Sequence, residues 1–201
     1  MGLEVLELKL KDIAEEIITG VLTKRVVRED VDDSSSSMGK GKILVPKSIN
    51  DGLINQSLLQ LVELEKEVKE KFYTRKDDVI MKLSTPYDSC VIEKKEDEGL
   101  IVPSFSVIIR GLKEPYNPYF IMAFLSSKCA WTQIERSRSG RVLSIISNDS
   151  VAELEIPSLS ETEIKEISTR YRRYLEFRRL SSEIIELEKE RNNTLFLEKD
   201  A

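Results

Sequence analysis

Hydrophobic positions change their spacing several times along this chain, and each change predicts a different element. Between residues 8 and 18 the apolar positions are 8, 10, 13, 14, 17 and 18, followed by Thr19-Gly20. This predicts a strand running into a short helix with Gly20 as its stop. Residues 32–42, Asp-Asp-Ser-Ser-Ser-Ser-Met-Gly-Lys-Gly-Lys, have no apolar period and read as an exposed loop. Ile43-Leu44-Val45 predicts a short strand stopped by Pro46, and Glu63 to Lys71 a solvated turn or helix face. From residue 78 the β signal strengthens. Val79 to Leu83 and Ser106 to Arg110 are strand-length apolar runs, and Cys90-Val91-Ile92 and Leu100-Ile101-Val102 flank an acidic turn, a hairpin pattern. Asn117-Pro118 then supplies a cap and a first helical position for a helix over 119–128, with apolar residues at 120, 121, 124 and 125.

Residues 160–197 follow another rule. Ser160 with Glu163 forms a capping-box pattern. Behind it, Ile164, Ile167, Tyr171, Tyr174, Phe177, Leu180, Ile184, Leu187, Arg191 and Thr194 recur at steps of three and four, with no Gly or Pro between them. That is a heptad seam with one three-residue step in place of a four. About 36 residues at ~1.5 Å each give a helix of roughly 55 Å. A small domain cannot cover such a length, so part of the seam should meet another helix. The predicted fold class is α+β, with one mixed α/β globule over residues 1–158 followed by a long C-terminal coiled-coil helix over 159–201.

Composition narrows the chemistry. The chain has 201 residues, 40% of them apolar, with 31 Lys+Arg, 36 Asp+Glu and no histidine. The commonest general base and the commonest metal ligand are thus missing, which excludes His-dependent triads and His-rich zinc sites. Cys90 and Cys129 are too isolated for a disulfide framework or a CxxC metal site. Acids at Glu4 and Glu7 stand where a signal peptide has bases, and no long apolar window could span a membrane, so a soluble cytoplasmic protein is expected. Residues 101–150 carry 6 bases and 3 acids inside a chain of net charge −5. A locally basic segment can hold a polyanion even on an acidic protein.

Several motifs dissolve under inspection. Gly39-Lys40-Gly41-Lys42 lacks the spacing of a phosphate loop, and Ile43 stands where a hydroxyl is required. Asn117-Pro118-Tyr119-Phe120 resembles an adenine-methyltransferase signature but lacks its second proline, and a helix cap explains it. The two thiols lack the neighbours that make a reactive thiolate, and Trp131 is expected to pack under the adjacent loop. Two constellations keep weight. Residues 132–141 place Arg136, Arg138 and Arg141 among hydroxyls just before the apolar run 142–146, and arginine forks suit phosphates and guanine edges. Leu83-Ser84-Thr85-Pro86-Tyr87 is a polar turn leaving a strand.

Asp78-Val79-Ile80-Met81-Lys82-Leu83-Ser84-Thr85-Pro86-Tyr87, then Gly99-Leu100-Ile101-Val102-Pro103-Ser104, resembles the centre of a target recognition domain from the DNA-specificity (S) subunits of type I restriction-modification systems. The family's order continues around it. Residues 8–20 resemble its opening, Asn117 to Leu125 its helix, and Leu154-Glu155-Ile156-Pro157 its exit into a conserved coiled-coil helix. Members usually hold two recognition domains and two helices in about twice this length, whereas one of each is found here.

The resemblance implies a non-catalytic module without cofactor. It would read half of a split site in double-stranded DNA and dock methyltransferase (M) and, through them, restriction (R) subunits. Base contacts are expected from Ser84, Thr85, Tyr87, Arg136, Arg138 and Arg141, and phosphate contacts from Lys24, Arg25 and Lys47. Pairing of two copies through Ile164, Ile167, Tyr171, Tyr174, Phe177, Leu180, Ile184 and Leu187 would restore a bipartite reader. The rival is a coiled-coil adaptor that binds only proteins.

Overall fold

Strand alternation sets the layers. A computed structural model of the chain describes residues 8–27, 39–137 and 145–197, with side chains as far as residue 195. Its elements are β1 (Leu8–Lys9), α1 (Leu10–Ile13), β2 (Ala14–Thr19), β3 (Lys40–Ile43), β4 (Ile49–Asn50), β5 (Leu53–Ile54), β6 (Gln60–Glu63), β7 (Val79–Lys82), β8 (Ser89–Val91), β9 (Ser106–Leu112), α2 (Pro118–Leu125), α3 (Lys128–Ser137), α4 (Asn148–Ala152), β10 (Glu155–Ile156) and α5 (Glu161–Leu197). Strands β2, β9, β7 and β8 lie side by side in that order in one antiparallel sheet. Val79, Met81, Val107 and Ile109 join Leu10, Phe120, Ile121 and Ile164 in the largest core. Ile80, Cys90 and Ile108 instead pack with Leu44, Ile49 and Ile92 in a second core. Successive side chains point to opposite faces, so a sheet covered on both sides needs the unbroken apolar runs seen at 79–81 and 107–109.

Helices cover the first face, and the hairpins β4–β5 and β3–β6 close the other side. A third cluster, with Val26, Ile43, Val62, Leu64, Val68 and Ile101, fills the space under β3–β6.

A buried charge pair sits among these apolar layers. Arg110, on β9, donates from Nε to Asp78 Oδ1 at 2.8 Å and from Nη2 to Oδ2 at 2.6 Å. Its guanidinium also donates to the carbonyls of Tyr73 (2.8 Å) and Lys71 (3.3 Å). Asp78 in turn accepts from the Arg75 backbone N–H at 2.7 Å. The bond to Asp78 raises the Arg110 pKa above its ordinary value. Only 1% of Asp78 and 8% of Arg110 is exposed. The pair therefore fastens residues 71–78 to β9 where water cannot compete. Lys82, buried on β7, makes a lesser clamp by donating to Asp88 Oδ2 at 2.8 Å and the Ile49 carbonyl at 3.1 Å, which ties β4 to the sheet.

The caps stand where the residues place them. Asn117 Oδ1 accepts from the N–H groups of Tyr119 and Phe120, both at 3.1 Å, with Pro118 first in α2. Ser160 and Glu163 close their box in both directions. The fold class is the expected one, a mixed globule followed by a long helix. Five local expectations change. The helix after β1 is a single turn, and the chain then becomes β2, because Ala14 to Thr19 finds β9 as a partner. Gly20 leaves a strand rather than stopping a helix. Residues 40–42 pair with β6 instead of looping free. Residues 90–92 and 100–102 form no hairpin, since Cys90 pairs with Ile80 while Ile101 bridges Ile43 and Tyr73. The helix expected over 119–128 is two helices broken at Ser126-Ser127, and residues 132–137, read as loop, belong to α3.

Removing one partner of a buried ion pair strands the other charge, at a cost of about 3–5 kcal/mol. Asp78→Ala should lower unfolding stability by that amount in denaturant titrations. A loss under about 1 kcal/mol, the scale of an exposed pair, would contradict the clamp.

Candidate nucleic-acid interface

The two ends of the four-stranded sheet differ chemically. Register places Thr19 opposite Val107 and Lys82 opposite Ser106, so β2 leaves, β9 enters and β7 leaves at one end. Beyond it the backbones stay joined. Gly20 N–H donates to the Ser106 carbonyl (3.0 Å), Val21 N–H to Val102 (2.8 Å), Ser104 N–H to Val21 (2.8 Å), and Leu83 N–H to Phe105 (2.9 Å). Ser84 bridges Ile145, and Ile146 N–H donates to the Leu83 carbonyl at 2.9 Å. Residues 20–27, 83–87, 103–105 and 145–147 thus lie against one another. These four segments contain two bases, Lys24 and Arg25, and no acid, in a chain where acids outnumber bases. At the other end Glu15, Glu16, Asp77 and Asp78 stand with Arg75, Lys76, Arg110 and Lys113.

Gly20 is the knuckle of this junction. A Cβ there would lie 2.3 Å from the carbonyl oxygens of Val102 and Pro103, so only glycine lets the backbones close up. The 3-10 turn Thr23–Arg25 follows, with Lys24 and Arg25 exposed. Thr85 is exposed and Ser84 half-buried. Arg136 is exposed in the last turn of α3, five residues past Trp131, whose ring meets Tyr87 edge-on at 5.6 Å. Four of these expected contacts, Lys24, Arg25, Ser84 and Thr85, lie on the joined segments, and Arg136 stands on α3 with Glu135 before it. Trp131 is exposed on α3 and meets the core ring of Tyr87; the loop expected to cover it lies outside the described residues.

Three expected contacts do not join them. Tyr87 is corrected: at 4% exposure it belongs to the main core and supports Trp131 rather than facing a ligand. Its ring follows Leu83 into the apolar layer, which a reading of the turn as merely polar overlooked. Lys47 is exposed on the 3-10 turn Pro46–Ser48 ahead of β4, outside the joined segments. Arg138 and Arg141 lie outside the described residues.

The seam of α5 is divided. Ile164 is buried, Ile167 and Tyr171 are half-buried against the core, and Leu175 is 6% exposed. Asn117 Nδ2 donates to Ser168 Oγ at 2.8 Å, and the hydroxyls of Tyr171 and Ser126 lie 2.7 Å apart. Ile164, Ile167 and Tyr171 are therefore occupied within their own chain, a correction to their expected role as partner contacts. Leu175 takes the inward place assigned to Tyr174. Past Arg178, which pairs with Asp51, Arg179 and Ser181 are half-buried and every described side chain from residue 182 to 195 is exposed. Phe177 (69%), Leu180 (47%), Ile184 (61%) and Leu187 (62%) stand exposed.

A groove of about 830 Å³ runs between β4–β5 and α5. Six acids line it, Glu93, Glu96, Asp97, Glu176, Glu183 and Glu186, against four bases, so its field disfavours a polyanion. Among the described residues no cluster of three or more His, Cys, Asp or Glu could hold a metal ion, and no helix is long and apolar enough to cross a membrane. Asp97, in the groove floor, accepts a hydrogen bond from Gln56. Burial, with Glu96 nearby, pushes its carboxyl up to about 6.

No protein-family model matches the sequence, and no curated protein matches it. Solved structures do. One, from work on complex assembly and conformational transition of the type I R-M system, superposes with a TM-score of 0.59 at 18% identity, over 88% of this chain and 44% of that one. Another, the HsdS subunit from Thermoanaerobacter tengcongensis, gives 0.58 at 19% identity with the same coverage. The chain has the fold of HsdS specificity subunits of type I restriction-modification systems, and it spans about 44% of the length of these two structures.

The folded state favours a neutral Asp97. Its stabilising contribution is complete below the unfolded value near 4 and fades as pH rises through about 6. Asp97→Asn keeps the acceptor for Gln56 and removes the charge, so it should raise stability by roughly 1 kcal/mol at about pH 8 and by almost nothing at about pH 4. Equal gains in thermal scans at both pH values would contradict this origin.

Proposed function

We propose that this chain is a sequence-specific DNA-binding specificity subunit of a type I restriction-modification complex, reading one half of a bipartite target. The four segments joined at the end of the sheet, which hold two bases and no acid, carry the reading. Lys24 and Arg25, with Arg136 nearby, supply phosphate contacts, while Ser84 and Thr85 offer hydroxyls to base edges or phosphates. Residues 1–158 act as the recognition domain and 159–201 as spacer and docking helix for methyltransferase and, through them, restriction subunits. The chain has no catalytic part in this scheme and works in the cytoplasm. Its net charge of −5 makes DNA binding weak until partner subunits add positive surface.

The exposed half of the seam supports pairing of two copies through Phe177, Leu180, Ile184 and Leu187, which would place two reading ends on one assembly. The same observation supports the rival adaptor reading. Two bases and no acid on the four joined segments favour DNA, since a protein-only adaptor has no need of that arrangement. Co-purification with a methyltransferase subunit, followed by mapping of methylated host sites, separates the two.

Each phosphate-contacting base contributes about one unit to the slope of log K against log salt. Replacing Lys24 and Arg25 with Ala should flatten that slope by about two in duplex binding measured from low to moderate salt. An unchanged slope would remove this turn from the interface. Phe177→Glu with Ile184→Glu should convert a dimer to a monomer in light scattering, and a wild-type monomer would contradict pairing.

A further inference from the structure

Six large apolar side chains ahead of α5 are exposed among the described residues; three of them, Leu22, Phe105 and Ile145, stand on the four joined segments, and a fourth, Trp131, is on α3 against Tyr87. Phe105 is the most prominent of the four, at 52% exposure. It sits at the tip of a turn closed by the Ser106 N–H on the Pro103 carbonyl at 3.0 Å. The tip is held from both sides, because the Phe105 carbonyl accepts from Leu83 and Ser104 donates to Val21, the neighbour of Leu22. An aromatic ring kept in water on a braced turn contributes nothing to the core. It costs solubility unless something covers it.

Resting on the DNA reading above, we infer that Phe105, with Leu22 and Ile145 beside it, is a specificity determinant that reads thymine methyl groups in the major groove. The 5-methyl of thymine is the one apolar feature on the base edges there. Backbones 20–22 and 103–105 lie edge to edge; at about 4.8 Å per strand the two occupy roughly 10 Å, a width that a groove of about 12 Å admits. Lys24 and Arg25 stand at the same end to engage phosphates, and the segments bring no acid to repel them. Several apolar groups side by side suit successive base edges. A wedge that kinks one step needs a single protruding side chain.

The test uses the full chain and a duplex selected by it from a pool with a randomised centre. Replacing thymine by uracil in that duplex removes the methyl groups and nothing else. Wild type should bind the uracil duplex more weakly, by roughly fourfold for each methyl buried. Phe105→Ala should lose roughly fourfold of that discrimination for each methyl it covers, with the salt slope of wild type, and Phe105→Leu should recover part of the loss. Because the side chain is exposed, the unfolding midpoint should not move, and Leu22→Ala provides a second variant with the same expected loss. Undiminished discrimination in Phe105→Ala and Leu22→Ala overturns the inference and leaves the DNA reading standing. So does a wild type that binds both duplexes equally, or a Phe105→Ala whose only defect is failure to capture a methyltransferase subunit. A wild type that selects no duplex, alone or with that subunit, overturns both.

Discussion

The ion pair between Arg110 and Asp78 is the constraint around which the globule is arranged. A guanidinium in an apolar layer is tolerated only when its donors are met, and here they are met by one carboxylate and two backbone carbonyls. Meeting them brings residues 71–78 onto β9 and fixes where β7 begins. The register of β7 against β9 then follows from Val79 opposite Ile109 down to Lys82 opposite Ser106. Everything that emerges at the far side of the sheet inherits that register. The anchoring chemistry and the candidate reading surface are thus at opposite ends of the same strands. The turns at the reading end are joined by backbone hydrogen bonds, so their side chains can differ without disturbing either core.

The departure of α5 is fixed by the same economy of means. Leu175 seats against Gly52, where a Cβ would lie 2.5 Å from its Cδ2. Arg178 reaches Asp51 in the same turn. The helix is thereby held along its first turns on α2 and released with its apolar seam uncovered. A stiff helix aimed by a globule converts the position of one recognition surface into a fixed distance to whatever binds the free end. The specificity-subunit role proposed above needs that property, and a loosely tethered linker would not supply it.

Much of this was legible in the residues. The caps at Asn117 and Ser160, the buried strands at 79–82 and 106–112 and the long helix are set by local chemistry, which a single sequence displays directly. Pairing was not legible. Nothing in residues 90–102 says that Cys90 returns to Ile80 while Ile101 crosses to Ile43, because strand partners depend on chain closure rather than on the segments themselves. Tyr87 and Leu175 failed for a related reason. A tyrosine in a polar turn and two adjacent apolar residues on a helix look alike until neighbours choose which is covered. The lack of acids in residues 20–27, 83–87, 103–105 and 145–147 was written in four separate segments, and only the register and the bonds between the turns brought them together. Phe105 gave no signal beyond a turn, since exposure belongs to the fold.

The central claim is that one end of the sheet meets DNA. Amide hydrogen exchange on the chain, alone and with a selected duplex in the presence of a methyltransferase subunit, tests it most directly. The account predicts slowed exchange in residues 20–27, 83–87 and 103–105, with no change in the acidic groove around residues 93–97 or at the Asp78–Arg110 end. Protection in the groove, with the sheet end exchanging as freely as before, would contradict it.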